Sequence, residues 1–68
     1  MKVKKLLKQI PLGENVTIYC NDITNYDCIE SFLSLLRYHS IIERKIELVT
    51  VEYHAMVERY TVTIYTED

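Results

Sequence analysis

Apolar residues recur at Val3, Leu6, Leu7 and Ile10, the spacing that gives a helix one apolar face. Pro11 ends that helix, because the residue before a proline is pushed out of the α region, and Gly13 allows a turn. The period then changes to two. In Asn15–Cys20, Val16, Ile18 and Cys20 alternate with Thr17 and Tyr19, which predicts a strand. After Asn21-Asp22, Thr24 and Asp27 have the spacing of a capping box. Cys28, Ile29, Phe32, Leu33 and Leu36 follow as a broad apolar stripe, predicting a second helix over 25–39 as the main cover of the core. Residues 44–53 and 59–66 read as two more strands. The segment between them, 54–58, contains no Gly, Asn or Asp, so a connection longer than a tight two-residue turn is expected.

The order α-β-α-β-β defines an α+β fold, a single domain over 1–68, with two helices packed on one face of a three-stranded sheet. The first strand, the second helix and the strand at 44–53 form a βαβ unit with the usual right-handed crossover. The other sheet face then has no cover. Val16 and Ile18 point to the helices with Tyr60, Val62 and Ile64. Thr17, Tyr19, Thr61, Thr63 and Tyr65 point away. The middle strand carries two apolar phases, Ile46 with Leu48 and Val49 with Val51 and Tyr53: either a bulge near Leu48-Val49 reconciles them, or both faces of that strand are apolar, as in a strand covered on both sides. The uncovered face is therefore expected to present Tyr19, Val49, Val51, Tyr53 and Tyr65 among threonines. These five are the candidate partner-binding residues, since tyrosine joins a large apolar area to a polar tip.

Composition narrows the function classes. The chain has 68 residues, 49% of them hydrophobic and 26% charged, with one Gly and one Pro, which excludes disorder and low complexity. A chain this short buries only about 60% of the surface it exposes when unfolded, so self-association would add useful stability. Ser31–Leu36, the longest uncharged apolar stretch, is far short of the roughly 20 residues that span a bilayer. Lys2, Lys4, Lys5 and Lys8 interrupt any signal-peptide core, so the expected location is cytoplasmic, with no membrane partner. Those four lysines form the solvated side of the first helix and are the candidate contact for an anion or an acidic partner, although the net charge is −2.

One isolated glycine cannot build a phosphate-cradling loop, and no nucleophile elbow, His-Glu-x-x-His site or EF-hand loop is present. Cys20, Cys28, His39 and His54 are separated by 7, 10 and 14 residues, unlike the short pairs that set two zinc ligands together. The two cysteines, at a strand end and in a helix's first turn, could lie close but are expected as reduced thiols. Asp22, Glu47, Glu52 and Glu58 show no spacing that singles out an acid–base pair. The expectation is a non-enzyme without metal or cofactor that binds a protein or a second copy of itself. Two alternatives are a homo-oligomer that sequesters a small nucleotide ligand between subunits and a nucleic-acid-binding regulator. The net acidic charge makes nucleic acid the less favoured partner.

The opening Met1-Lys2-Val3-Lys4-Lys5-Leu6-Leu7-Lys8, followed by Val16-Thr17-Ile18-Tyr19, resembles the small accessory proteins of bacteriophages and prophages. Arg44-Lys45-Ile46 through Val51 and Thr61 through Tyr65 match the terminal β-hairpin of that group, so the resemblance covers about half the chain. It carries over no functional residue. What it implies is a non-enzymatic binder of a bacterial host protein, of the kind that blocks a host defence system.

Overall fold

In the computed structural model, which describes residues 1–67, a four-stranded mixed sheet carries three short helices. The elements are α1 (Val3–Leu7), β1 (Asn15–Cys20), β2 (Ile23–Cys28), α2 (Ile29–Ser34), a 3₁₀ turn (Leu36–Tyr38), α3 (His39–Ile42), β3 (Ile46–His54) and β4 (Arg59–Thr66). The strand order is β2-β1-β4-β3. β1 and β4 are the parallel central pair, each flanked by its own antiparallel hairpin partner.

The fold class read from the sequence is α+β, and the finer architecture differs in two ways. First, residues 23–28 form a fourth strand rather than the approach to a long helix. Asn21 and Asp22 adopt φ of 51° and 63°, so they make a two-residue hairpin turn of the type that requires positive φ at both positions. Asn and Asp tolerate this region better than other residues with a side chain. β2 then folds back on β1 from Cys20↔Ile23 to Asn15↔Cys28. Thr24 therefore lies in a strand and caps nothing. The first amides of α2 are satisfied by backbone instead: Ile29 N–H donates to the Glu14 carbonyl at 2.8 Å and Glu30 N–H to the Leu12 carbonyl at 3.2 Å.

Second, the helix expected over 25–39 is broken. α2 ends at Ser34, Leu35 after it has an extended ψ of 130°, and His39 opens α3 rather than closing α2. The break lets Tyr38 turn inward. Its ring lies 4.4 Å from that of Phe32, and its hydroxyl donates to Asp27 Oδ2 at 2.9 Å. The strand beside β1 is β4 and not the one at 44–53, so the expected βαβ unit is absent. The helical segment instead joins the two outer strands, β2 and β3.

The core lies between the helices and the central pair. Val3, Leu7, Val16, Ile18, Ile29, Phe32 and Ile64 are fully buried, with Tyr38 and Ile42 beside them. Buried Thr66 is satisfied, its hydroxyl donating to the Tyr19 carbonyl at 3.2 Å. No helix among the described residues is long and apolar enough to cross a membrane.

Candidate functional site

Strand register decides which side chains share a face. Residues directly opposite in a ladder point to the same side of the sheet. Tyr19 pairs with Tyr65 and Thr17 with Thr63, on the face without helices; the two rings lie 5.6 Å apart. Across the same face stand Thr24 and Tyr26 of β2 and Leu48 and Thr50 of β3. The Tyr19 hydroxyl donates to Asp22 Oδ1 at 3.0 Å.

Val49, Val51 and Tyr53 are elsewhere. They pair with Ile64, Val62 and Tyr60, which places them on the helix side. The five partner-binding residues expected to form one patch are thus divided, two on the open face and three behind it. The cause is an irregularity between Ile46 and Leu48. Ile46 pairs with Thr66 on the helix side and packs on the core, and the extra residue Glu47 then sends Leu48 to the open face. A bulge was expected near this point, but its effect on the phase of the following residues is opposite to the one inferred.

Behind the sheet, the helices cover only the half nearest β1. Val51, Tyr53 and Tyr60 stay 59%, 54% and 70% exposed despite facing the helix side. The reason is length. The parallel ladder between β1 and β4 covers Thr17–Tyr19 and Thr63–Tyr65, whereas β3 and β4 continue pairing to His54↔Arg59. The end of the hairpin projects as an arm beyond the rest of the sheet, and the described chain is elongated, 34 × 22 × 20 Å. Tyr53 and Tyr60 stiffen the arm with rings 4.9 Å apart. At its tip Met56 is fully exposed, and Val57 N–H donates to the His54 carbonyl at 3.2 Å. Glu58 has φ of 50° and turns the chain into β4, giving the longer connection that residues 54–58 predicted.

Between the arm and the segment that follows α1 runs a groove of about 740 Å³. Ile10, Pro11 and Val16 line one wall, and Val57, Tyr60 and Val62 the other. Arg59–Val62 have β3 on one side and no ladder to β1 on the other, so part of a strand edge faces into this groove. Of its lining residues, the sequence had assigned none to a binding surface. The available signal was the arm itself: apolar Met56 and Val57 at the tip of a long hairpin have no core to enter.

The lysines assigned to an acidic partner are partly engaged within the chain. Lys2 Nζ lies 3.0 Å and Lys4 Nζ 3.5 Å from the two carboxylate oxygens of Glu43, holding that carboxyl below its ordinary range. Lys5 and Lys8 are exposed. Cys20 is buried at the turn end of the β1–β2 ladder, while Cys28 pairs with Asn15 at the other end, so the two thiols are free and well separated. Cys28 Sγ is 3.2 Å from Ser31 Oγ. Among the described residues, no three His, Cys, Asp or Glu side chains converge as a metal site.

Asp27 is a densely connected polar group. Its Oδ1 accepts from Cys28 N–H at 2.8 Å, and its Oδ2 accepts from the Tyr38 hydroxyl and, at 3.4 Å, from Arg37 Nη2. These donors hold its pKa below the ordinary value, the Cys28 amide contributing most and the Tyr38 hydroxyl next. Arg37 Nη2 also donates to the Tyr38 hydroxyl at 3.2 Å, and this contact, with Asp27 after it, raises the Arg37 pKa; the guanidinium sits 4.8 Å from the centre of the Tyr38 ring. The cluster ties β2 to the 3₁₀ turn and is a structural clasp.

No protein-family model, curated protein or solved structure is significantly similar to this chain.

Proposed function

We propose that this chain works by binding another protein, without catalysis, and that its docking site is the groove beneath the β3–β4 arm. The observation that carries this reading is the apolar lining of the groove, with Pro11, Val57 and Tyr60 exposed, along a strand edge that has no ladder to β1 at Arg59–Val62. An extended segment of a partner can add to such an edge through backbone hydrogen bonds, while alternate side chains enter apolar pockets. Val57 and Tyr60 supply apolar area that a small monomer has no structural reason to expose. The sequence resemblance to phage accessory proteins makes a bacterial host protein, defence components included, the first class of partner to test. Lys2 and Lys4 are occupied by Glu43, which weighs against nucleotide sequestration or nucleic-acid binding through the lysine cluster.

Affinity capture from a bacterial lysate tests the reading. Tyr60→Lys, in the groove, is expected to abolish capture that Leu36→Lys, on the exposed 3₁₀ turn, leaves intact. Capture that survives Tyr60→Lys but is lost in a Tyr19→Ala, Tyr65→Ala double variant assigns binding to the open face and overturns the groove.

A further inference from the structure

The outer edge of β3 is only partly covered. At its start, Ile46 N–H donates to the Met1 carbonyl at 2.9 Å, Val3 N–H donates to the Arg44 carbonyl at 2.9 Å, and Lys2 forms an antiparallel bridge with Lys45. From Glu47 to His54 no described strand lies alongside β3. Exposed strand edges are normally blunted by proline, a bulge or charged side chains, lysine above all, and between Leu48 and His54 the only acidic or basic side chain besides His54 is Glu52. The stretch Leu48–His54 contains no proline or lysine, and the irregularity lies before it. The opposite edge of the sheet, β2, is shorter, at six residues against nine.

We propose that this edge pairs with the same edge of a second copy, antiparallel, about a two-fold axis at Val51. The register follows from three constraints. Residues opposite each other share a face, so a pair with both helix layers on the same side must be centred on a residue. A centre at Thr50 brings His54 of the second copy against Ile46, where Met1 already sits. A centre at Glu52 sets two like carboxylates directly opposite, which is destabilising. Centring on Val51 uses Leu48–His54 of each copy and fits between Met1 and the turn at Ala55.

In that register Val51 meets its symmetry mate, and Val49 meets Tyr53 of the second copy, all on the helix side. Thr50 meets Glu52, and Leu48 meets His54, on the open face. No like charges stand opposite. The pairing joins the two half-covered apolar strips into one continuous band and makes a sheet of eight strands. Apart from His54, it uses none of the residues that line the groove, so it stands independently of the groove's role.

Sedimentation velocity of the full chain over a dilution series tests the proposal. The wild type is expected to pass from dimer to monomer. Val51→Asp, which places two carboxylates on the axis, is expected to raise the dissociation constant about tenfold or more, with an unchanged circular dichroism spectrum. Oxidation of Val51→Cys in a Cys28→Ser background is expected to give a covalent dimer faster than Ile23→Cys, on the β2 edge, in the same background. A wild type that stays monomeric at the highest concentration overturns the proposal. A dimer indifferent to Val51→Asp, or equal cross-linking at the two edges, also overturns it.

Discussion

Val49 and Ile64 face each other across the β3–β4 ladder, yet Ile64 is fully buried and Val49 is 39% exposed. The limit of helical cover runs between them. On one side lies a packed core; on the other, the same sheet face continues as an arm whose apolar side chains have no cover from the described helices.

The two sides are expected to respond differently to substitution. Ile64→Ala removes buried methylenes and leaves a cavity, at a cost of about 2–5 kcal/mol. Val51→Thr is exposed and is expected to change monomer stability by no more than about 0.5 kcal/mol. Urea unfolding at high dilution measures both; similar losses would mean that the arm is as well packed as the core.

Acid is expected to loosen the clasp between β2 and the 3₁₀ turn. Asp27 has a folded-state pKa below its unfolded one, so its contribution is present above the unfolded value and disappears as pH falls through the folded value. Glu43 shifts in the same direction. Thermal midpoints should therefore drop below about pH 4. Asp27→Asn is expected to flatten that acid limb, and a midpoint profile that keeps the wild-type slope would rule Asp27 out as a source.

Glu58 occupies the left-handed region with a full side chain, at φ of 50°. Glycine takes this conformation without the Cβ clash. Glu58→Gly is expected to stabilise the fold by about 1 kcal/mol, readable as a higher denaturant midpoint with an unchanged slope.

The β1–β2 turn makes the opposite prediction. Asn21→Val puts a β-branched residue at φ of 51°, which costs at least about 1–2 kcal/mol. Loss of protection of the β2 amides in hydrogen exchange, before those of β4, would locate the damage in this hairpin.

Much of the fold was legible in the chain. Local periodicity gave α1, β1 and the β3–β4 hairpin, and alternation in β1 and β4 assigned their faces correctly, because each strand has one side on the core. β2 was hidden for a physical reason. Its helix-side positions are Ile23, Asn25 and Asp27, two of them polar, so it lacks the alternation of a half-buried strand. Asn25 and Asp27 are accommodated by partners distant in sequence: Asn25 Nδ2 donates to the Ile18 carbonyl at 3.3 Å, and Asp27 reaches Tyr38.

By itself the sequence determined that α1 is helical and that β1, β3 and β4 are extended, which side of the central strands is apolar, and that residues 54–58 need a long connection. Tertiary structure decided the rest. The break at Leu35 depends on Tyr38 finding Phe32 and Asp27, and the facing of Val49, Val51 and Tyr53 depends on Glu47 being the extra residue in the ladder. A strand's period of two fixes which residues share a face, but only its pairing with β4 decides which face meets the helices. For that reason the tyrosine patch divided in two, and Val51, Tyr53, Met56, Val57 and Tyr60 stay exposed on the arm.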